Sequence, residues 1–307
     1  AARVLEADPT LAEHPRLSIA EADQWFDLAK PFHFEDYAYL ERIKVVHSIG
    51  ARDAFHPAYV GLKTQVGEQA DTFRWQTQFR LGSQIFARRQ MENLTEAVTP
   101  TSALKGAFAG RTLILLAGGP SLDEALPWVV EHRERLAIMA VSRIARQLLA
   151  AGIEPDFFVS IDPHELSFDV SKEMLLFGER TIFIHANHVS PLLLAQWPGR
   201  SLYLSNRYPW LTKKNTPNAG STGSTVTNVA LLAAVHLGFS RIILSGVDLC
   251  FTREGYTHAA GSNERLAGPT LGTVGLQIET NGGWMADTRP DLHTSWKTLC
   301  QQATEAS

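Results

Sequence analysis

The sequence predicts an α/β fold: a doubly wound, Rossmann-like, mostly parallel sheet over residues 109–307, behind a mostly helical portion over residues 1–108. Three observations predict it. From Arg111 onward, short continuous apolar runs alternate with helical stretches, the pattern of parallel strands covered on both faces. The first of these runs empties into Gly118-Gly119-Pro120-Ser121, a turn suited to opening a helix beside a ligand. The first 108 residues lack that rhythm and instead scatter aromatics through a charged background.

In chain order, Trp25, Phe26, Phe32, Phe34, Tyr37 and Tyr39 lead the aromatic portion. Leu40, Ile43 and Val46 to Ile49 predict one amphipathic helix, and Phe73 to Phe86 a second that continues to Leu94. The strands then follow as Thr112–Ala117, Leu136–Val141, Phe157–Ile161, Thr181–Ala186, Ser201–Leu204 and Arg241–Gly246. Between them fall helices at Asp123–Arg133, Ser142–Ala151, Asp169–Leu176, Pro191–Trp197 and Ser224–Leu237. Gly152 and then Pro155 end the second of these. Such alternation winds a parallel sheet whose ligands bind beyond the C-terminal strand ends.

Composition narrows the function classes. The net charge of -4 carries no concentrated basic face, so no nucleic-acid partner is expected. Cys250 and Cys300 stand fifty positions apart in no metal-ligand spacing, and two lone thiols fit a reducing compartment. The longest apolar run, Val226 to Leu237, is too short to span a bilayer, and no basic-then-apolar leader opens the chain. No membrane association is expected, and the chain reads as cytoplasmic. It opens on Ala rather than Met.

The strand ends hold the candidate site. Gly118, Gly119, Pro120 and Ser121 form either an anion cradle at a helix N-terminus or a plain turn capped by Ser121. Asp162, after the third strand, either holds a ribose hydroxyl or a metal ion, or simply turns the chain before Pro163. Arg207 and Lys214 lie on a polar loop where cations clamp a phosphate or carboxylate; a solvated loop is the plainer reading for Lys213 and Lys214. Gly220, Ser221, Thr222 and Thr225 open the most apolar helix and form a second candidate cradle. Neither GxxxxGK[ST] nor GxGxxG is present. Asp248, a catalytic candidate beside His258, follows the sixth strand at its C-terminal end. His258 lies on the loop beyond it, with a pKa suited to acid–base work. His185 and His188 are its rivals, whereas His236 sits in the apolar helix.

The same residues resemble a family. Ala117 to Asp123, Pro155-Asp156, Ser160 to Pro163, Gly220 to Thr225, Leu237-Gly238-Phe239, Ser245 to Leu249 and Thr257-His258-Ala259 match, in order, the motility accessory factor family of flagellin glycosyltransferases. The match runs from about Trp75 to Trp296, including Glu279 to Gly283. The family pattern continues past Ser307, so a longer parent protein is expected. The family shows Gly-x-Gly-Pro-Ser where this chain has Ala117, a methyl that a strand end tolerates, with a narrowed approach to the ligand as the alternative. The resemblance implies a domain similar to bacterial sialyltransferases. It implies transfer of a nonulosonic acid of the pseudaminic or legionaminic type from a CMP-activated donor to flagellin Ser or Thr, with no cofactor required. Gly118 to Ser121 and Ser221 to Thr225 would hold the nucleotide, Arg207 or Lys214 an acidic group, and His258 would be the base. The wider fold family also includes an archaeal hydroxymethylpterin pyrophosphokinase. It implies an ATP- and Mg-dependent alternative in which Asp162 and Asp248 hold metal. A non-catalytic nucleotide-binding module that grips flagellin through the aromatic N-terminal portion is the third reading.

Overall fold

The computed structural model describes residues 2–19, 24–25, 37, 44–46, 57–81, 84–96, 98–178, 180–221, 223–269 and 276–306. The chain forms two compact units, Ala1–Gln84 and Ile85–Ser307. In the first, helix α1 (Ala2–Ala7) leads into a 3₁₀ turn, Pro9–Glu13, capped by Asp8, whose carboxylate accepts from the Thr10 amide at 3.1 Å. Helix α2 then runs over Pro57–Leu81, and Trp25 Nε1 donates to its Gln69 at 2.7 Å. The helix expected from Leu40 to Ile49 lies outside the described residues except for 44–46, which are not helical. The second expected helix starts earlier, at Pro57, and is followed by α3 (Gln84–Glu92).

The second unit holds a seven-stranded parallel sheet. Its strands are β1 (Thr99–Pro100), β2 (Thr112–Leu116), β3 (Ala137–Val141), β4 (Phe157–Ser160), β5 (Ile182–Ala186), β6 (Ser201–Leu204) and β7 (Arg241–Ser245). Their spatial order is β1-β6-β5-β4-β3-β2-β7. The predicted Rossmann-like fold is therefore observed, with six strands within a residue or two of their expected bounds. All five residues of β3 and all four of β4 are buried, which is why these runs are continuously apolar. Edge strand β7 is less covered, and Leu244 on it is 43% exposed.

The helices are α4 (Leu122–His132), α5 (Ala145–Ala151), α6 (Glu165–Ser171), α7 (Pro191–Gln196), α8 (Val226–Leu237), the single turn α9 (Asn263–Leu266) and α10 (Pro290–Ala306). The expected helix at Asp169–Leu176 is instead α6 followed by a 3₁₀ turn, Lys172–Leu176. Gly152, at φ 67°, ends α5 in the left-handed conformation that favours glycine. A hairpin of β8 (Leu276–Glu279) and β9 (Met285–Thr288) and helix α10 follow the sheet.

The join expected near residue 108 falls at Gln84/Ile85, because residues 85–108 are built into the sheet unit. Strand β1 pairs with β6, and buried Asn93 donates to the carbonyls of Asn187 and Val189, both at 2.9 Å. Among the described residues no helix is long and apolar enough to cross a membrane.

Candidate functional site

Strands β3, β4, β5, β6 and β1 extend from β2 on one side, and β7 lies on the other. The order therefore reverses between β2 and β7, and ligands of such sheets sit at the C-terminal mouth of that reversal. Two of the expected site segments meet there: Gly118 to Ser121 after β2, and Gly246 to Asp248 after β7. Backbone bonds carry the pairing past the strand ends, from the Ala117 amide to Ser245 O at 2.8 Å and from the Gly119 amide to Gly246 O at 2.7 Å. Gly246, at φ 68°, then turns the chain back over the β2–α4 turn.

That turn places Asp248 where an anion was expected. Its Oδ2 accepts from the Ser121 amide at 3.0 Å and from the Ser121 hydroxyl at 3.1 Å. Ser121 Oγ in turn accepts from the Gly246 amide at 3.1 Å. The N-terminus of α4 thus has a carboxylate of its own chain, a favourable charge for the helix dipole. Ser121 makes no side-chain cap bond to its own helix. Asp248, expected to act on substrate or metal, here organises the turn. Ala117 is 3% exposed, so its methyl takes almost nothing from the mouth.

The open cleft lies on the other flank, against Gly118. The Ala259 amide donates to Gly118 O at 2.9 Å, and the Ala260 amide to the Asp123 carboxylate at 2.9 Å, which fixes the His258 loop on the turn. His258 joins Gly118, Arg143, Gln147 and Glu264 in lining this cleft. Arg143 Nη1 lies 3.2 Å from His258 Nε2 and 3.1 Å from Glu264 Oε1. His258 Nδ1 is 2.9 Å from Thr257 Oγ1. Guanidinium only donates, so Nε2 is the acceptor, and Nδ1 carries the proton and donates to Thr257. Burial, more than any neighbour, lowers the His258 pKa; Glu264 raises it, and Arg143 and then Arg289 lower it further. The ring is neutral near pH 7.

The remaining expected residues are placed elsewhere. Arg207 Nη2 donates to Leu94 O at 2.9 Å and Glu96 O at 2.6 Å, and its guanidinium lies over the Tyr203 ring. It holds the segment before β1 rather than reaching a ligand at the β2–β7 mouth. Lys214 is exposed on its loop, as the solvated reading has it. Ser221 Oγ sits 2.6 Å from Ser205 Oγ beyond β6. Four strand spacings, about 19 Å, separate β6 from β2. Gly220 is exposed beside it, and Thr222 lies outside the described residues. Thr225 caps α8 in a reciprocal box with Asn228, and its Oγ1 lies 3.0 Å from Ser295 Oγ of α10. Asp162 is half-buried after β4, three strand spacings or about 14 Å from the end of β7. Asp248 is instead engaged over the β2–α4 turn by Ser121. No cluster of three or more His, Cys, Asp or Glu suited to a metal occurs among the described residues.

Of the rival histidines, His185 is fully buried in β5, where desolvation lowers its pKa to about 4. It is closed to substrate. Burial also lowers His188 to about 4, and its ring packs edge-on against Phe86. The sequence reading missed Arg143 and Glu264. Arg143 follows β3 by one residue after Ser142, so the strand-end rule that found Asp162 applies to it equally. Glu264 has no comparable signal, because it sits on a single helical turn in a long excursion.

Residues 88–254, just over half of the chain, match the family described as 6-hydroxymethylpterin diphosphokinase MptE-like. A stretch of 84 residues, 27% of the chain, is 31% identical to an uncharacterized protein of Treponema pallidum (strain Nichols) and covers 40% of it. The fold is shared with the structure of a MAf glycosyltransferase from Magnetospirillum magneticum AMB-1, at a TM-score of 0.57 and 18% identity over 81% of this chain. The matched part spans 38% of that structure.

Proposed function

The chain belongs to the 6-hydroxymethylpterin diphosphokinase MptE-like family, and from that premise we propose that it forms the nucleotide-sugar-binding part of a glycosyltransferase. The donor is a CMP-activated nonulosonic acid of the pseudaminic or legionaminic type, and the acceptor is a flagellin Ser or Thr hydroxyl. The observation that carries the reading is the pairing of His258, whose Nε2 is the acceptor, with the Arg143 guanidinium in the cleft against Gly118. A base and a cation side by side suit displacement of a nucleotide from an acidic sugar. The shared fold with a MAf glycosyltransferase and the ordered motifs of the motility accessory factor family support the same choice.

In the transfer, the bond between the sugar anomeric carbon and the CMP phosphate oxygen breaks, and CMP leaves with the electron pair. The acceptor oxygen bonds to that carbon from the opposite face, and its proton passes to His258 Nε2. Arg143, rather than Arg207 or Lys214, meets the charge growing on the phosphate. Asp248 keeps Ser121 and the Gly118–Gly119 turn in place. His258→Ala is expected to lower transfer by 10²- to 10⁴-fold while CMP still raises the melting temperature. Transfer at the normal rate in that variant removes His258 from the role of base.

The family description favours one other reading, an ATP- and Mg-dependent pyrophosphokinase. Asp248 is already bonded to Ser121, so a metal held there with Asp162 would have to replace that contact. A thermal-shift series with CMP, CDP, ATP and ADP, each with and without Mg, separates the two. Stabilisation by CMP or CDP without metal supports the transferase. Stabilisation by ATP with Mg alone overturns it.

A further inference from the structure

We propose that Arg143 is a positioning residue that masks His258 Nε2 in the free protein and unmasks it when the donor's anionic group draws the guanidinium away. This rests on the glycosyl-transfer reading above and adds a reason why the base acts only when donor is bound. The geometry is specific. The Nε2 lone pair is the atom a base must use, and at 3.2 Å it already accepts from Arg143 Nη1. With Nδ1 donating to Thr257, the ring has no other basic atom. An acceptor hydroxyl meeting this arrangement finds its base occupied.

Arg143 has somewhere to go. Its side chain is about a third exposed, and it is held by one carboxylate, Glu264, whose own side chain is 37% exposed. An ion pair this open is weak, in the range of 0–1 kcal/mol. A phosphate or sugar carboxylate in the cleft offers the guanidinium a bidentate partner instead. Gly118 forms the floor of the cleft: a Cβ there would lie 3.8 Å from both Arg143 Cδ and His258 Cδ2. The charged groups around the ring are Arg143 after β3, Glu264 on α9 and Arg289 ahead of α10. When Arg143 turns to the anion, Glu264, 3.9 Å from Nε2, remains to stabilise the imidazolium that forms once the proton arrives. One cation thereby reports donor binding to the base.

The experiment is an NMR titration of the His258 ring nitrogens against pH in the whole chain, for wild type, Arg143→Gln and Arg143→Lys, each without and with CMP. In free wild type, Nε2 is expected as acceptor and the pKa below the ordinary histidine value. Arg143→Gln should raise that pKa without nucleotide and weaken CMP at least tenfold, whereas Arg143→Lys should restore part of both. Addition of CMP to wild type should raise the His258 pKa. In kinetics, the acid limb of kcat/KM should move to higher pH in Arg143→Gln. The masking is overturned if His258 titrates identically in free wild type and free Arg143→Gln. The coupling to donor is overturned if CMP binds wild type without shifting His258, or binds Arg143→Gln equally well. If CMP does not bind wild type at all, the donor reading fails, and the comparison of the two free proteins still decides the masking.

Discussion

At the scale of single residues, two adjacent glycines serve different ends. A Cβ on Gly119 would stand 2.1 Å from Asp248 Oδ2 and 2.6 Å from Gly246 O, and the second of these is backbone that cannot rotate away. On Gly118 the nearest atom would be Ile144 Cγ2 at 3.4 Å, an ordinary contact. Gly119→Ala should therefore cost about 1–3 kcal/mol, since overpacking forces the strand ends apart. In a domain of this size that is a fall of several degrees in Tm, at about 2–4 °C per kcal/mol. Gly118→Ala should melt near wild type and lose nucleotide affinity instead. Equal melting losses in the two variants would refute this division of roles. The sequence made the turn legible, because two glycines and a proline after an apolar run have few other uses. It hid what fills the turn. Asp248 reaches Ser121 from 127 positions away, and only the placement of β7 beside β2 brings them together. Arg207 misled for a related reason: its position named a cation near the strand ends, while its direction depends on the Leu94 and Glu96 carbonyls.

At the scale of elements, the central strands were legible because each is buried on both faces and bounded by turn residues. The elements that escaped notice lack that signature. Strand β1 is two residues long, the β8–β9 hairpin is partly exposed, and α10 carries a polar face that hides its buried Ser295, Leu299 and Gln302. Strand β5 shows how an element sets a property of the whole unit. It buries His185 and leads directly to His188, and desolvation lowers both to about 4. A folded pKa below the unfolded value of about 6.5 means that the unfolded chain binds more protons between those limits. The stability tied to the neutral rings is thus fully present above about pH 6.5 and declines as pH falls toward 4. At 1.36 kcal/mol per pKa unit, the loss amounts to roughly 3 kcal/mol for each ring. Urea melts at pH 7, 5.5 and 4.5 should show a falling midpoint, and His188→Asn should flatten the slope. A midpoint constant over that range would show that neither ring is held neutral by the fold.

At the scale of the whole molecule, the question is where the sheet unit begins. Sequence rhythm places the change near residue 108, because strand–helix alternation becomes visible there. The bonding places it at Ile85. Residues 85–108 supply the edge strand β1, and buried Thr101 donates to Tyr203 O at 2.8 Å. They supply the Leu94 and Glu96 carbonyls to Arg207, and the Gly106 and Phe108 amides to the end of α8 at 3.1 Å and 3.0 Å. Phe108 also stacks on Phe239 at 4.9 Å between ring centroids. A chain begun at 109 would take these donors from the His236 and Leu237 carbonyls and both carbonyl acceptors from the Arg207 guanidinium, each such loss costing about 1–3 kcal/mol where the group stays buried. It would also uncover β6 as a bare sheet edge, a template for aggregation. Residues 85–307 should therefore express as a monomer that melts in one cooperative step and still responds to nucleotide. Residues 109–307 should aggregate or melt without cooperativity. Circular dichroism melts and size-exclusion profiles of the two truncations decide it. A cooperative 109–307 with the same Tm as 85–307 would mean that β1 and the segment before it decorate the sheet without holding it.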